Sequence, residues 1–283
     1  MQPLNDTAVF SVVFPSNEVY LNDFAESLKA QTQKDFDLVL INDGLPSLPK
    51  SLLDLNPLVL NYQGSIASIR RQGLELLSDL GHSYIIFADS DDQLKNNRVE
   101  VVRGLLNTYH LVANDLDMMD DKGKMIQTGY WSGREELQSE IRPEFLEQQN
   151  IFGLGNTGIR AEILQPLEIP EELEVVDWFI FLKLFSWEYD ACFTSKTSTL
   201  YRIRENNLGS IGEVNQESIE RTLKVKQQYY SILSKRSKRF KELKEGIDEL
   251  AVELSEQKNL KSYITQRAKN LENPFWWEEV MVN

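Results

Sequence analysis

The sequence predicts an α/β protein built on a mostly parallel sheet, and three observations predict it. Short apolar runs alternate with amphipathic segments through the first third of the chain. Those runs end in clusters of hydrogen-bonding residues, and one of them, Ser83 to Ala88 (SYIIFA), is apolar almost throughout, as a strand covered on both faces is.

Val9 to Phe14 is β-rich and closes in Pro15-Ser16-Asn17, a turn signal. Tyr20 to Gln31 follows with Leu21, Phe24 and Leu28 at helical spacing. Phe36 to Ile41 (FDLVLI) is a second strand, ending in Asn42-Asp43-Gly44, and Leu58-Val59-Leu60 is a third. Ile66 to Leu80 reads as a helix from Ile66, Ile69, Leu74, Leu77 and Leu80, with Gly81 as its stop. Leu111-Val112-Ala113 and Lys124-Met125-Ile126 flank Asp120-Asp121-Lys122-Gly123 as a hairpin. Glu135 to Asn150 is polar and helical in part. Gly153 to Gly158 is a glycine-rich loop that does not form GxGxxG after a strand, so it reads as the wall of a cleft. Asp177 to Phe185 is apolar enough for a buried helix. From Gln216 onward Gln, Lys, Glu and Leu dominate. Phe240, Leu243, Ile247, Leu250 and Leu254 make a seam suited either to a coiled coil or to a helix packed on the body.

The 283 residues carry 30 Lys+Arg and 44 Asp+Glu, a net charge of -14. Residues 216–283 are net +2, so residues 1–215 are net -16, and Arg221 to Lys244 holds nine basic residues against one acid, Glu242. Such an acidic body would repel nucleic acid. The single cysteine, Cys192, excludes an intramolecular disulfide and a Cys-based zinc site. His82 and His110 stand apart from other ligand types. No run approaches the ~18 to 20 apolar residues of a membrane span, and no leader pattern opens the chain, so a cytoplasmic protein is expected.

Ligands of parallel sheets gather beyond the carboxyl ends of the strands, where Ser16-Asn17, Asn42-Asp43-Gly44 and Asp89-Ser90-Asp91 all fall. Asp89, Asp91 and Asp92 repel one another unless a cation is present, and hard oxygen donors suit Mg2+ or Mn2+. The alternative is a solvated turn capping a helix that starts near Gln93. Asp43 could accept the amide or imide hydrogen of a nucleobase. A carboxylate for a base, followed by a DxD for a metal bridging a diphosphate, describes a nucleotide-sugar site.

FSVVFPSNEVYLNDFAESLKAQTQKDFDLVLINDG resembles the opening of the inverting, family-2-type glycosyltransferases that use sugar nucleotides. GSIASIRRQGLELL and YIIFADSDD are similar to that family's A-R-N-x-G helix and F-x-D-x-D-D metal motif. VVDWFIFLKL and LYRIRENN resemble its E-D-W segment and its Y-R-x-H-x-x-S ending. The resemblance runs over about residues 9–207. It implies a GT-A domain over 1–215, with a nucleotide-binding half (1–115) and an acceptor-binding half (116–215), followed by a helical extension over 216–283. It implies that Pro15, Ser16 and Asn17 line the nucleoside pocket, that Asp43 holds the base and that Arg70 approaches the diphosphate. Asp89 would contact ribose or metal, Asp91 would be the principal ligand of Mn2+ or Mg2+, and Asp177 would be the general base. The partners implied are a nucleoside diphosphate sugar, first of all a UDP-sugar, and a glycan or lipid-linked acceptor, in bacterial polysaccharide synthesis.

The sequence departs from the family at Val176 (an acid there), Arg71 (an asparagine) and Arg204 (a histidine). An arginine cannot ligate a cation, so Arg202 and Arg204 would grip the diphosphate directly. These losses leave a nucleotide-binding scaffold without turnover as the alternative reading. The basic neck suits peripheral contact with the inner face of a membrane, or folding back onto the acidic body, or a homo-oligomer through the C-terminal helices. Pro274 to Trp277 is either an interfacial anchor or a packed plug.

Overall fold

β1 (Thr7–Val13) is buried along its whole length because its alternating side chains enter two different cores. Val9 and Val13 join Leu21, Phe24, Ala25 and Leu28 of α1 (Leu21–Lys29) on one face of the sheet. Phe10 points the other way and meets Phe87 edge-on at 6.0 Å. The computed structural model describes residues 4–133, 139–164, 166–173, 175–184, 189–204, 214–235, 237–270, 274–278 and 280–282. These form two compact units, Met1–Pro143 with Ile151–Arg202, and Glu144–Asn150 with Ile203–Asn283.

In the first unit β2 (Asp37–Asn42), α2 (Lys50–Leu53), β3 (Leu58–Asn61), α3 (Ile66–Leu80) and β4 (Tyr84–Phe87) follow β1 and α1. After them come β5 (Gln93–Leu94), α4 (Arg98–Leu106), β6 (Leu111–Met119), β7 (Met125–Gln127), β8 (Glu140–Ile141), β9 (Thr157–Arg160), α6 (Asp177–Leu184) and β10 (Ala191–Arg202). The sheet order is β3-β2-β1-β4-β9-β6-β10-β5, with β7 beside β6 and β8 beside β10. β1, β2, β3 and β4 are mutually parallel, as are β6 and β10. β9 runs antiparallel between β4 and β6. All the parallel strands therefore end on one edge.

α3 has the expected bounds and is capped by Ser65, which accepts from the Ser68 amide, and by Gly81 at φ 80°. Gly73 lets it dock, since a Cβ there would stand 2.5 Å from the tip of Phe10. Phe87 also meets Phe181 of α6 at 6.2 Å, and Phe181 meets Phe152 at 5.8 Å, so aromatic contacts link β1, β4 and α6.

Three elements differ from the sequence reading. The stretch Pro15–Tyr20 is a 3-10 turn that precedes α1. After the acidic turn the chain forms the short strand β5, and the helix begins only at Arg98. The glycine-rich segment ends inside a strand: Gly158 lies in β9, where α4 packs so closely that a Cβ would stand 2.4 Å from Val102. Of the expected helix over Glu135 to Asn150, residues 135–138 lie outside the described residues, and α5 (Pro143–Gln148) is helical.

In the second unit α7 (Gln216–Leu233) starts from a capping box between Asn215 and Ser218. α8 (Lys238–Leu254) and α9 (Gln257–Asn270) complete a helical group. Leu243, Ile247 and Leu254 of the seam are buried, and α8 packs against α7 and α9 of the same unit. Gly246 admits the C-terminal segment, since a Cβ there would stand 2.3 Å from Val282. Gln148 makes two hydrogen bonds to the Val282 backbone (2.9 and 2.7 Å), and Phe275 stacks on Trp277 at 4.3 Å. Among the described residues no helix is long and apolar enough to cross a membrane.

Lys226 of α7 is fully buried, and its Nζ donates to the carbonyls of Gln148 (2.9 Å) and Val280. Burial, aided by the Arg267 charge and opposed by Glu278, lowers its ammonium to about 7 from 10.5. The native state sheds this proton before the unfolded state does, so stability rises with pH above 7. Lys226→Met is expected to abolish a gain of about 3 kcal/mol between pH 7 and 9.5. Urea midpoints of both proteins at the two pH values measure it, and an unchanged pH slope in the variant contradicts it.

Candidate active site

The turn Asp89-Ser90-Asp91-Asp92 leaves the carboxyl end of β4 beside that of β1, because Phe10 pairs with Phe87 and the Ala88 amide donates to the Phe10 carbonyl at 2.9 Å. Ser90 faces inward, donating to the Val12 carbonyl (2.7 Å) and accepting from the Asn17 amide group (3.1 Å). Asn17, expected at a nucleoside, is thus fully buried and ties the two strand ends together, while Pro15 and Ser16 are exposed. Asp43 follows β2, and its amide donates to the Val13 carbonyl at 2.8 Å. Its carboxyl group is half-buried on the same edge.

Arg202, expected at the diphosphate, is 1% exposed and holds the turn from behind. Its amide donates to Asp92 Oδ1 (2.8 Å) and its Nε to the Asp91 carbonyl (2.8 Å). Nη1 donates to the Asp121 carbonyl (2.8 Å) and Nη2 to Asp23 (3.2 Å), and the guanidinium lies 4.4 Å from the centre of the Tyr20 ring. Tyr20 in turn hydrogen-bonds Asp121. These donors anchor protein groups, so the side chain positions the motif. Arg204 lies two residues beyond β10, in the second unit.

Asp91 and Asp92 are buried, and Asp89 is half-buried with Oδ1 3.6 Å from Nη2 of Arg70. Burial, then the Asp91 and Asp89 charges, push the Asp92 carboxyl well above the usual carboxylate range. Its Oδ2 is buried without a hydrogen-bond partner among the described residues. This oxygen faces Gly155, where a Cβ would stand 3.1 Å from it and 2.8 Å from Asp89 Oδ2. Gly153, two residues earlier, would place a Cβ 3.8 Å from Asp177 Oδ2. Two residues of chain span at most ~7 Å, so Asp177 and the acidic turn front one short wall. Burial raises the phenol of Tyr201 above its usual range, and the charges of Asp92, Asp91, Asp89 and Asp177 raise it further. Asp177 opens α6 and accepts from the Trp178 amide (2.8 Å), so it is also the first helical residue.

Arg98, Asn114, Tyr201 and Asp23 have no role in the sequence reading, whereas Gly155 falls in the glycine-rich loop read there as the wall of a cleft. Asn114, Asp115 and Asp117 are buried polar residues of β6. Asp115 accepts from the amides of Trp131 (2.8 Å) and Ser132 (3.3 Å), and Asp117 from that of Gly129 (2.8 Å) and from Ser198 (2.6 Å). Arg71, where the resemblance has an asparagine, pairs with Glu171 at 3.1 Å.

Among the described residues no group of three or more His, Cys, Asp or Glu converges as a ready metal cage. Two carboxylate oxygens, of Asp89 and Asp92, nonetheless face one point beside Gly155, and the second of them has its bonding capacity unused among the described residues. A divalent cation that takes its other ligands from diphosphate and water fits that donor set.

Among solved structures, S. aureus TarS aligns with 82% of this chain and 40% of its own length at a TM-score of 0.54 and 17% identity. The fold is that of the GT-A glycosyltransferases. S. aureus TarS 1-349 in complex with UDP matches at the same TM-score and identity over 66% of its length. The mannosyltransferase PcManGT from Pyrobaculum calidifontis, in complex with GDP-Man and Mn2+, matches 84% of this chain and 66% of its own at a TM-score of 0.54 and 11% identity. A curated relative, the teichoic acid poly(glycerol phosphate) polymerase of Staphylococcus epidermidis, is 24% identical over 153 residues, which are 47% of this chain and 20% of that protein. The chain therefore spans a fifth of that relative's length and two fifths of TarS. No family model matches the sequence.

Arg202→Ala would leave the carbonyls of Asp91 and Asp121 without their donor and Asp23 without its cation. It is expected to destabilise the protein by about 3 kcal/mol. Urea unfolding followed by tryptophan fluorescence measures this, and a loss below about 1 kcal/mol contradicts the clamp.

Proposed function

We propose that the chain is an inverting glycosyltransferase that moves a sugar, hexosyl or related, from a nucleoside diphosphate sugar to an acceptor hydroxyl. The observation that carries the reading is the glycine wall, which Asp177 fronts at Gly153 and the acidic turn fronts at Gly155. One carboxylate for the acceptor and an acidic turn for the donor are what a single in-line displacement requires.

Asp43, Pro15 and Ser16 border the donor's nucleoside end, and Arg70, beside Asp89, faces its diphosphate. Asp177 takes the proton of the acceptor hydroxyl as that oxygen bonds to the anomeric carbon. The bond from that carbon to the diphosphate oxygen breaks, its electron pair leaves with the nucleoside diphosphate, and configuration inverts. Mn2+ or Mg2+ bound by Asp91 and Asp89, with Asp92 alongside, would neutralise charge on the diphosphate. The neighbours with UDP and GDP-Man support a nucleotide donor, a UDP-sugar first. The relative named a teichoic acid polymerase supports a place in polymer synthesis, and the acceptor we assign is a glycan or lipid-linked one at the inner face of the membrane. A nucleotide-binding scaffold is the second reading, favoured by Val176, which is buried where the resemblance has an acid.

Asp177→Asn is expected to lower transfer by about a thousandfold while nucleoside diphosphate affinity changes less than about twofold. Wild-type protein that binds nucleotide yet turns over no donor selects the scaffold. Gly155→Ala is expected to crowd the carboxylates and weaken nucleotide binding in Mn2+ by about tenfold. Calorimetric titration reads this, and an unchanged affinity removes the glycine wall from the donor site.

A further inference from the structure

Arg98 opens α4 on the face of the sheet that also holds Val99 and Val102, yet it is a charged residue with no exposed surface. Its Nη2 donates to the Phe87 carbonyl (2.8 Å), two residues before Asp89. Its Nε donates to Asn114 Oδ1 (2.7 Å). Nη1 is buried with no hydrogen-bond partner among the described residues, so ordinary hydrogen bonding does not account for a full cation at this place. Burial lowers its guanidinium from 12.5 to about 10, and the nearby negative charges of Asp92 and Asp89 oppose that lowering.

Asn114 carries the contact onward. Its amide group donates to Thr199 Oγ1 (3.1 Å), and that hydroxyl donates to the Gly155 carbonyl (2.9 Å). The Asn114 backbone amide also donates to the Asn156 carbonyl (2.9 Å), and Asn156 returns a bond to the Asn114 carbonyl (3.0 Å). One buried guanidinium is thus linked to the strand end that launches the acidic turn and to the glycine loop that the carboxylates face. A buried cation is retained without a large penalty only where facing negative charge offsets its desolvation.

We propose that Arg98 is the internal counter-cation of the acidic turn, a positioning residue that offsets Asp89 and Asp92 from beneath and holds them against the glycine loop. The offset lets the turn keep its shape before donor or metal arrives. That purpose rests on the glycosyltransferase reading, whereas the charge compensation is read from stability alone.

A double-mutant cycle tests it by thermal unfolding of Arg98→Met, Asp92→Asn, their combination and Arg98→Lys. Arg98→Met removes the cation beneath the two carboxylates and is expected to lower Tm on the order of 10 °C. The double variant is expected to melt above Arg98→Met, while added losses overturn the proposal, since a packing role gives additivity. Arg98→Lys keeps the charge, so Asp92→Asn is expected to remain costly in that background; relief there as large as with Met counts against the counter-cation. If Arg98→Met does not fold, folding restored by Asp92→Asn supports the proposal and a double variant that stays unfolded overturns it. Wild-type donor turnover is assayed separately. Its absence sinks the glycosyltransferase reading and leaves the cycle standing, and an additive cycle does the reverse.

Discussion

Repulsion among three carboxylates in four residues is the constraint on which the rest of the site depends. Two like charges 4 Å apart cost about 4 kcal/mol at the effective dielectric of a protein surface, and more where water is excluded. The fold answers with arginines from three elements: Arg202 from the end of β10, Arg98 from the start of α4 and Arg70 from α3. Two of the three are fully buried and their donors are turned toward protein groups. The cations that shape the turn are thereby distinct from any that would meet a ligand. Arg70 differs from them in being partly exposed, 3.6 Å from Asp89.

Because those arginines come from distant parts of the chain, the turn is a tertiary product. Arg202 reaches Asp91 across 111 positions of sequence and Asp23 across 179. Its guanidinium joins Tyr20, Asp23, the acidic turn and the β6-β7 hairpin. A local motif such as DSDD states which chemistry is available, and the guanidinium behind it decides the geometry.

This division explains what was legible in the sequence. β1, β2, β4, α3 and α6 could be read because each is specified by its own apolar period and its own punctuation, Pro15 and Gly81 among them. The ends of those strands, read from the apolar runs alone, already put Asp43 and Asp89 on one edge. β9 could not be read, since Gly158 contributes no side chain to a pattern and its strand exists only by pairing with β4 and β6. Arg98 was illegible for a related reason: at the first turn of an amphipathic helix an arginine looks like a solvated residue, and nothing local says that its face is closed. Asn17 was read as a ligand contact because a polar residue in a strand-end turn looks available, but its side chain is consumed by Ser90.

The uneven charge of the chain looks different once pairing is counted. In the first unit Asp37 is committed to Asn5, His82 and the Leu4 amide, Asp6 to Arg103, and Asp115 to backbone amides, so part of the -16 is structural acceptor capacity. In the basic neck Lys226 is buried, Arg239 pairs with Glu147, Lys244 with Asp248 and Lys238 with Glu242. Each Lys or Arg near an anionic leaflet contributes about 1 kcal/mol, so counting all nine overstates the attraction when Lys226 is buried and Arg239 and Lys244 are paired within the unit. Electrostatic attachment through the neck is correspondingly weaker than its composition suggests, and contact with an anionic surface there would require breaking ion pairs or recruiting apolar groups. Phe275 and Trp277, the aromatic residues suited to an interface, are themselves buried and stacked on each other, which favours the packed plug over the anchor.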